Sequence, residues 1–457
     1  MQERNRRLGT APIGQLLVQF SIPAIIGMVV NALYNIVDRI FIGNAPELGA
    51  NGLAGITIGF PIMILQLSIG LLFGVGGATL FSIRLGERNE KGATQALNTA
   101  FVLLITSGAL FMMIGTMFLE PLLVLFGASE TVLPYSAAYM RVIYFGSIFQ
   151  ILGLGMNNFL RADGQPKLAM MTMFFGAGTN IILDPIFIFG LKMGMAGAAW
   201  ATIISQFISM SWTLFYFMNP KNTHHIRLNQ LKWNWQDVLN IMALGMPNFL
   251  TNIGSSILNL TLNKTLLIYG GDIAVSGMGI VNSITTFLVM PVIGINQGVQ
   301  PIISFNFGAK QYSRIIKAEK LAMMAATVVT TGGWLLTRLF PELIIGLFNK
   351  SPELMAFTKP ALHAWLLCLP VVGFQILGAN FFQAIGSSKK AMFLTLTRQL
   401  IFLIPAIIIF SQLWGLQGIV YAAPFADALA FIITAYTFYN GIQYLKHRPN
   451  SKFEEVL

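Results

Sequence analysis

The stretch FSIPAIIGMVVNALYNIVDRIFIG, residues 20–43, sets a physical problem whose solution fixes the fold. Only Asp38 and Arg39 are charged in it. As a helix rising 1.5 Å per residue it is about 36 Å long, enough to cross the ~30 Å hydrocarbon core of a bilayer. Similar apolar runs recur along the whole 457-residue chain, which is 55% hydrophobic and 10% charged, with a mean hydropathy of +0.70. Soluble domains carry about 25% charged residues, so this chain has too few for an ordinary water-facing surface. It reads as an all-α polytopic membrane protein whose first partner is the lipid bilayer.

Hydropathy and polar breaks predict twelve transmembrane helices, near 16–42, 53–82, 95–118, 133–160, 168–190, 195–218, 238–270, 273–306, 316–340, 356–386, 390–410 and 416–445. The net charge of +11 does not form a nucleic-acid patch, because the basic residues sit in short runs between the spans. The two tails and every second loop hold 20 of the 28 Lys and Arg, whereas the alternate loops hold only Lys192 and Lys350. By the positive-inside rule both termini face the cytoplasm of a cell (inner) membrane protein. Arg39 and Lys264, near the outer ends of spans 1 and 7, are expected to snorkel. Cys368 is the sole cysteine, which excludes disulfides and cysteine metal clusters. The neighbouring loop histidines His224 and His225 read as solvated. The basic start MQERNRR leads into an apolar stretch too long for a signal-peptide core, so no cleaved leader is expected.

The chain also repeats itself. A shift of 224 residues superposes Pro23 on Pro247, Asn35 on Asn259, Gly70 on Gly294 and Gly74 on Gly298. A shift of 222 brings Asn158 to Asn380, Gly164 to Gly386 and Lys167 to Lys389, and a shift of 221 pairs Gly194 with Gly415. Two six-helix lobes, 1–218 and 238–457, are therefore expected, joined by a cytoplasmic linker at 219–237. Because six is even, both lobes enter the membrane the same way round, related by an axis along the membrane normal.

Of seventeen acidic residues, three read as deep in apolar spans: Asp38, Asp184 and Asp427. A carboxylate at bilayer depth costs several kcal/mol and usually faces an aqueous cavity with a function. Asp38 corresponds to Leu262 in the repeat and Asp184 to a position near Ala406, so the fold can be built without either acid. Asn31, Tyr34, Asn35 and Asp38 fall three or four residues apart on one helical face, and Asn180 precedes Asp184 by four in NIILDPIFIFG. Thr202, Ser205, Gln206 and Ser209 make a similar stripe on span 6. Such stripes often serve helix–helix hydrogen bonding; beside two carboxylates they read as a hydrated pocket. Asp427 can pair with Arg398 on span 11. The substrate cavity is expected to take in Asn31, Asn35, Asn157, Gln206, Asn259 and Met290, since methionine surfaces repack around varied ligands. Pro23 and Pro185 are the candidate hinges. No phosphate-binding loop, catalytic triad or metal-ligand spacing is present, so no enzyme activity and no cofactor are expected.

These residues, together with GLAGITIGFPI, GLLFGVGGATLFSIRLGERN, RADGQPKLAM and NIILDPIFIFGLKMGMAGAAWAT, resemble the multidrug and toxic compound extrusion (MATE) family over essentially the whole chain. The resemblance is strongest to its DinF-like branch. It implies that Asp38 and Asp184 carry cation coupling, with Tyr34, Asn180 and Thr202 completing the polar network. The NorM-like branch places acids on spans 7 and 10. Here those spans offer Asn259, Asn263, Lys264, Asn380 and Gln383 instead, so no sodium site of that type is expected. The implied activity is antiport of amphipathic or cationic small molecules against H+, or against Na+ held by Asp38, Asp184 and Asn180, by a monomer. A lipid-linked oligosaccharide flippase of the same superfamily is the alternative reading. A channel would need a ring of polar groups rather than acids confined to one half.

Overall fold

The computed structural model describes residues 7–45, 48–227, 234–348 and 351–449, and among these the regular structure is helical throughout. Span 1 is Ile13–Asn44, span 2 Gly49–Gly86 and span 3 Glu90–Met117. Span 4 is two helices, Leu133–Phe145 and Ser147–Ala162, bent by 54°. Span 5 is Pro166–Pro185, prolonged by a π-helical turn at Ile186–Gly190, and span 6 is Gly194–Met218. In the second half, Trp235–Gly308 holds spans 7 and 8, divided at Gly271 (φ 61°, ψ −161°), a backbone conformation essentially closed to residues with a Cβ. Span 9 is Tyr312–Leu339. Span 10 is Pro352–Trp365 and Leu369–Ala384, bent by 49°. Span 11 begins at Ser388–Leu396, passes through a π-helical stretch at Thr397–Leu403 and runs into Ile404–Lys446, where Gly415 marks the start of span 12.

The expected repeat is written into the backbone. Spans 4 and 10 are both bent, and spans 5 and 11 both carry π-helix. The paired glycines match in dihedral angle: φ is 74° at Gly164 and 79° at Gly386, and 59° at Gly194 and 60° at Gly415. Arg88 and Lys310, also 222 apart, share the left-handed conformation that ends spans 2 and 8. The caps agree bond for bond. Gln165 N donates to Leu160 O as Ser387 N does to Phe382 O, and Asn89 N donates to Arg84 O as Gln311 N does to Asn306 O.

The chain forms two compact units whose borders cut through spans 1 and 7. One unit is Ile26–Phe249 with the residues before Ala11; the other joins Ala11–Ile25 to the chain from Leu250 onward. In the first unit the start of span 7 lies on span 2 so closely that a Cβ at Gly245 would overlap the Leu72 carbonyl. Arg84 at the end of span 2 forms an ion pair with Asp237 at the start of span 7 and donates to Gly92 O at 2.8 Å. In the second unit the start of span 1 lies on span 8, where a Cβ at Gly298 would sit 2.7 Å from Ser21 Cα. Arg314 secures that end by donating to Ala11 O at 2.8 Å. Ser21 and Gly245 are repeat partners at a shift of 224, so both lobes use the same packing position.

Candidate functional site

The first unit gathers most of the polar residues singled out in the sequence. Asp184 is completely buried near the end of span 5, and Asn180, one turn earlier, is 2% exposed and donates its Nδ2 to Asp184 Oδ1 at 3.3 Å. Across from them, the carboxyl group of Asp38 on span 1 is within hydrogen-bonding reach of Asp184. Tyr139, from the first helix of span 4, is buried beside Thr202 and lies within electrostatic reach of Tyr34, Asp38 and Asp184. Four spans thus supply one cluster: Tyr34 and Asp38, Tyr139, Asn180 and Asp184, and Thr202.

Two carboxyl groups at this distance cannot both be ionised without strong repulsion. A hydrogen bond between them requires a proton on one, and a small cation between them satisfies both. Asp184 Oδ2 and Asn180 Oδ1 are buried without a hydrogen-bond partner, so the pocket offers unused oxygen acceptors. All its acceptors are oxygen, the donor type a hard ion such as Na+ takes. The cluster fits a proton or Na+ on chemical grounds. No group of three or more His, Cys, Asp and Glu converges on a metal site among the described residues.

The second half shows what the fold does without this chemistry. The repeat partners of Tyr34 and Asp38 are Leu258 and Leu262; those of Tyr139, Asn180 and Asp184 are Ala361, Phe402 and Ala406; that of Thr202 is Ala423. Leu262, Ala361, Ala406 and Ala423 are buried in a single hydrophobic cluster, with Leu258 and Phe402 packed against it. A polar pocket in one lobe therefore stands where the other has apolar core.

The remaining candidates are dispersed. Asn31 is exposed, three residues before Tyr34 on span 1, and the side chain of Asn35 lies outside the described residues, as does that of Arg39. Asn157 is engaged in packing: it donates to Ala169 O and to Thr172 Oγ1 at 2.9 and 2.6 Å, and accepts from Arg161 at 2.7 Å. Gln206 keeps a buried, unpartnered Oε1 one turn beyond Thr202, whereas Ser209 bonds Thr172 O between spans 6 and 5. In the second unit, Asn259 accepts from Asn282 at 3.4 Å, and Met290 is half-buried. Pro23 sits two residues before the unit border in span 1; Pro185 immediately precedes the π-helical turn of span 5. Asp427 pairs with Arg398 at 2.5 Å.

Two expectations need correcting. His224 is not solvated: it is 2% exposed, with Nδ1 2.7 Å from Asp163 Oδ1 and its ring edge-on to Phe81. The linker folds back here, Ile226 N donating to Phe217 O at 2.8 Å. Asp184 and Asp427, both buried, and the half-buried Asp38 are also not the only acids set into the spans. Glu319, near the start of span 9, is 1% exposed, and neither carboxyl oxygen has a hydrogen-bond partner. The basic residues on either side of it had marked that segment as a loop margin. Tyr139 was missed altogether, because a single tyrosine in a span reads as ordinary aromatic bulk. Its apolar repeat partner, Ala361, was the available signal.

A sequence model of the MatE family matches residues 23–186 and 247–408, one match in each half. The chain belongs to the MatE family. Among its relatives are the multidrug export protein MepA of Staphylococcus aureus (strain MSSA476), 27% identical over 419 residues and 92% of each chain, and MepA of Staphylococcus haemolyticus (strain JCSC1435), 26% identical over 94% of each. A crystal structure of MATE in complex with MaD3S superposes with a TM-score of 0.91 at 25% identity, covering 97% of this chain and 99% of that one. MATE in the bent conformation gives the same TM-score and identity, over 97% and 98%. This MatE chain is accordingly a multi-pass membrane transporter and not an enzyme, with twelve spans in two repeated lobes.

Proposed function

We propose that this MatE transporter is a secondary antiporter that exports amphipathic or cationic small molecules, coupled to inward H+ or Na+ through the Asp38–Asp184 pair. The carrying observation is the six-residue polar cluster whose repeat partners all belong to one apolar core. Burying carboxylates costs several kcal/mol, and the second lobe makes the same fold without them. Kinship with the MepA multidrug exporters supports the drug substrates. The restriction of the pair to the first lobe supports the DinF-like assignment.

In this reading, a proton entering from outside discharges the pair, or Na+ bridges Asp38, Asp184 and Asn180. Either event neutralises the pocket that holds a cationic substrate, and release follows. Lobes 1–218 and 238–457 then exchange access about linker 219–237, with Pro23 absorbing the bend beside the unit border and Pro185 shaping span 5 at the pocket. The monomer works with both termini in the cytoplasm. The test is export in proteoliposomes by Asp38→Asn and Asp184→Asn under imposed proton and sodium gradients. Each variant should lose gradient-driven export while still binding substrate; full export by both would refute the carboxylate mechanism.

A further inference from the structure

Where span 9 ends and span 10 begins, the second unit carries a recess of about 430 Å³ that the transport reading does not use. Arg338, Glu342, Lys359 and His363 line it, together with Leu339, Phe340 and Leu343. Lys359 is paired with Glu342 at 2.6 Å. Arg338 has no carboxylate partner among the described residues. It donates to His363 O at 2.5 Å and stacks 5.3 Å from the Trp334 ring centroid, and its Nε is buried with no acceptor. The His363 ring is held by its Nε2–H donating to Thr337 O at 3.2 Å. The recess thus presents one guanidinium without a carboxylate partner among the described residues, and a lysine whose charge is only locally matched.

Its rim is apolar and uncovered: Leu339, Phe340 and Leu343 are 66%, 53% and 69% exposed. Being at the ends of two spans, it lies at the depth of lipid headgroups, where tryptophan also concentrates. The repeat does not demand the charges. The counterparts of Arg338 and Lys359 at a shift of 222 are Thr116 and Ala137, although Glu342 is matched by Glu120.

We infer that this recess binds the phosphate of an anionic phospholipid headgroup. The outer end of the Arg338 guanidinium donates to the phosphate, Lys359 supplies the second positive charge, and the acyl chains run over Leu339, Phe340 and Leu343. Arginine suits a phosphate because its donors form a fixed fork. A soluble organic phosphate offers the same headgroup chemistry, but it makes no use of the exposed apolar rim.

The experiment uses the full-length transporter in non-ionic detergent. Native mass spectrometry and thermal melting are read after adding phosphatidylglycerol, phosphatidylcholine or glycerol 3-phosphate. Phosphatidylglycerol alone should remain bound and raise the melting temperature. Retention should fall several-fold in Arg338→Gln and recover in part in Arg338→Lys. The exposed pair gives a test that does not depend on refolding around Arg338. Lys359→Gln removes a cation and unmasks Glu342, so retention should fall; Glu342→Gln should raise it. Equal retention of phosphatidylcholine, unchanged retention in Lys359→Gln and Glu342→Gln, or glycerol 3-phosphate matching the lipid would each overturn the inference.

Discussion

Asp184 owes its significance to the atoms around it. One oxygen takes a bond from Asn180, the other has no partner, and the nearest charged group is a second acid, Asp38. Asparagine in place of either acid keeps the volume and removes the charge, so Asp184→Asn should fold normally and lose gradient-driven export by at least tenfold in a vesicle assay. Tyr139→Phe deletes the hydroxyl beside Thr202, and losing one polar contact of that kind costs ~1 kcal/mol. Its export should fall about fivefold without vanishing, and Thr202→Val should give a similar loss. At this scale the acids were legible because they violate hydropathy, and Asn180 because it falls one turn before Asp184. Tyr139 was not, since tyrosine is at home in a membrane helix, and His224 was not, since burial of a loop side chain depends on how the linker folds back. Asn157 looked like a pocket amide, but its bonds to Thr172 and Arg161 occupy it in helix packing.

Among the elements, the number and order of spans followed from apolar run lengths, and the glycine pairs anticipated the repeated caps because a left-handed residue at a helix end favours glycine. The π-helical stretches of spans 5 and 11 left no comparable trace, because ladder register is settled by packing; Pro185, which has no N–H to donate, marks only the neighbourhood. At Gly245 spans 7 and 2 leave no room for a Cβ. Gly245→Val must push span 7 away from the Leu72 carbonyl, and overpacking of this kind costs ~1–3 kcal/mol. The variant's melting temperature in detergent should drop by several degrees. Gly271→Ala should also destabilise the protein in the same melt, because it forces a Cβ into a conformation at φ 61° and ψ −161°.

For the whole molecule, the two unit borders are themselves a repeat. Span 1 changes unit between Ile25 and Ile26, two residues past Pro23, and span 7 between Phe249 and Leu250, two residues past Pro247. Sequence alone placed the divide in the polar linker at 219–237, because composition records where the chain leaves the membrane and not which neighbours a helix packs against. The proposed orientation is checked in a Cys368→Ser background: Gly127→Cys should react with an impermeant thiol reagent on intact cells, and Asn222→Cys only after permeabilisation. The central claim concerns coupling through the carboxylate pair. The measurement that meets it most directly is substrate-induced proton or sodium movement in vesicles containing wild-type, Asp38→Asn or Asp184→Asn transporter. External pH and sodium are varied independently. Substrate should drive ion movement in the wild type and not in either variant, although both still bind substrate. Undiminished substrate-driven ion movement in both variants would contradict the account.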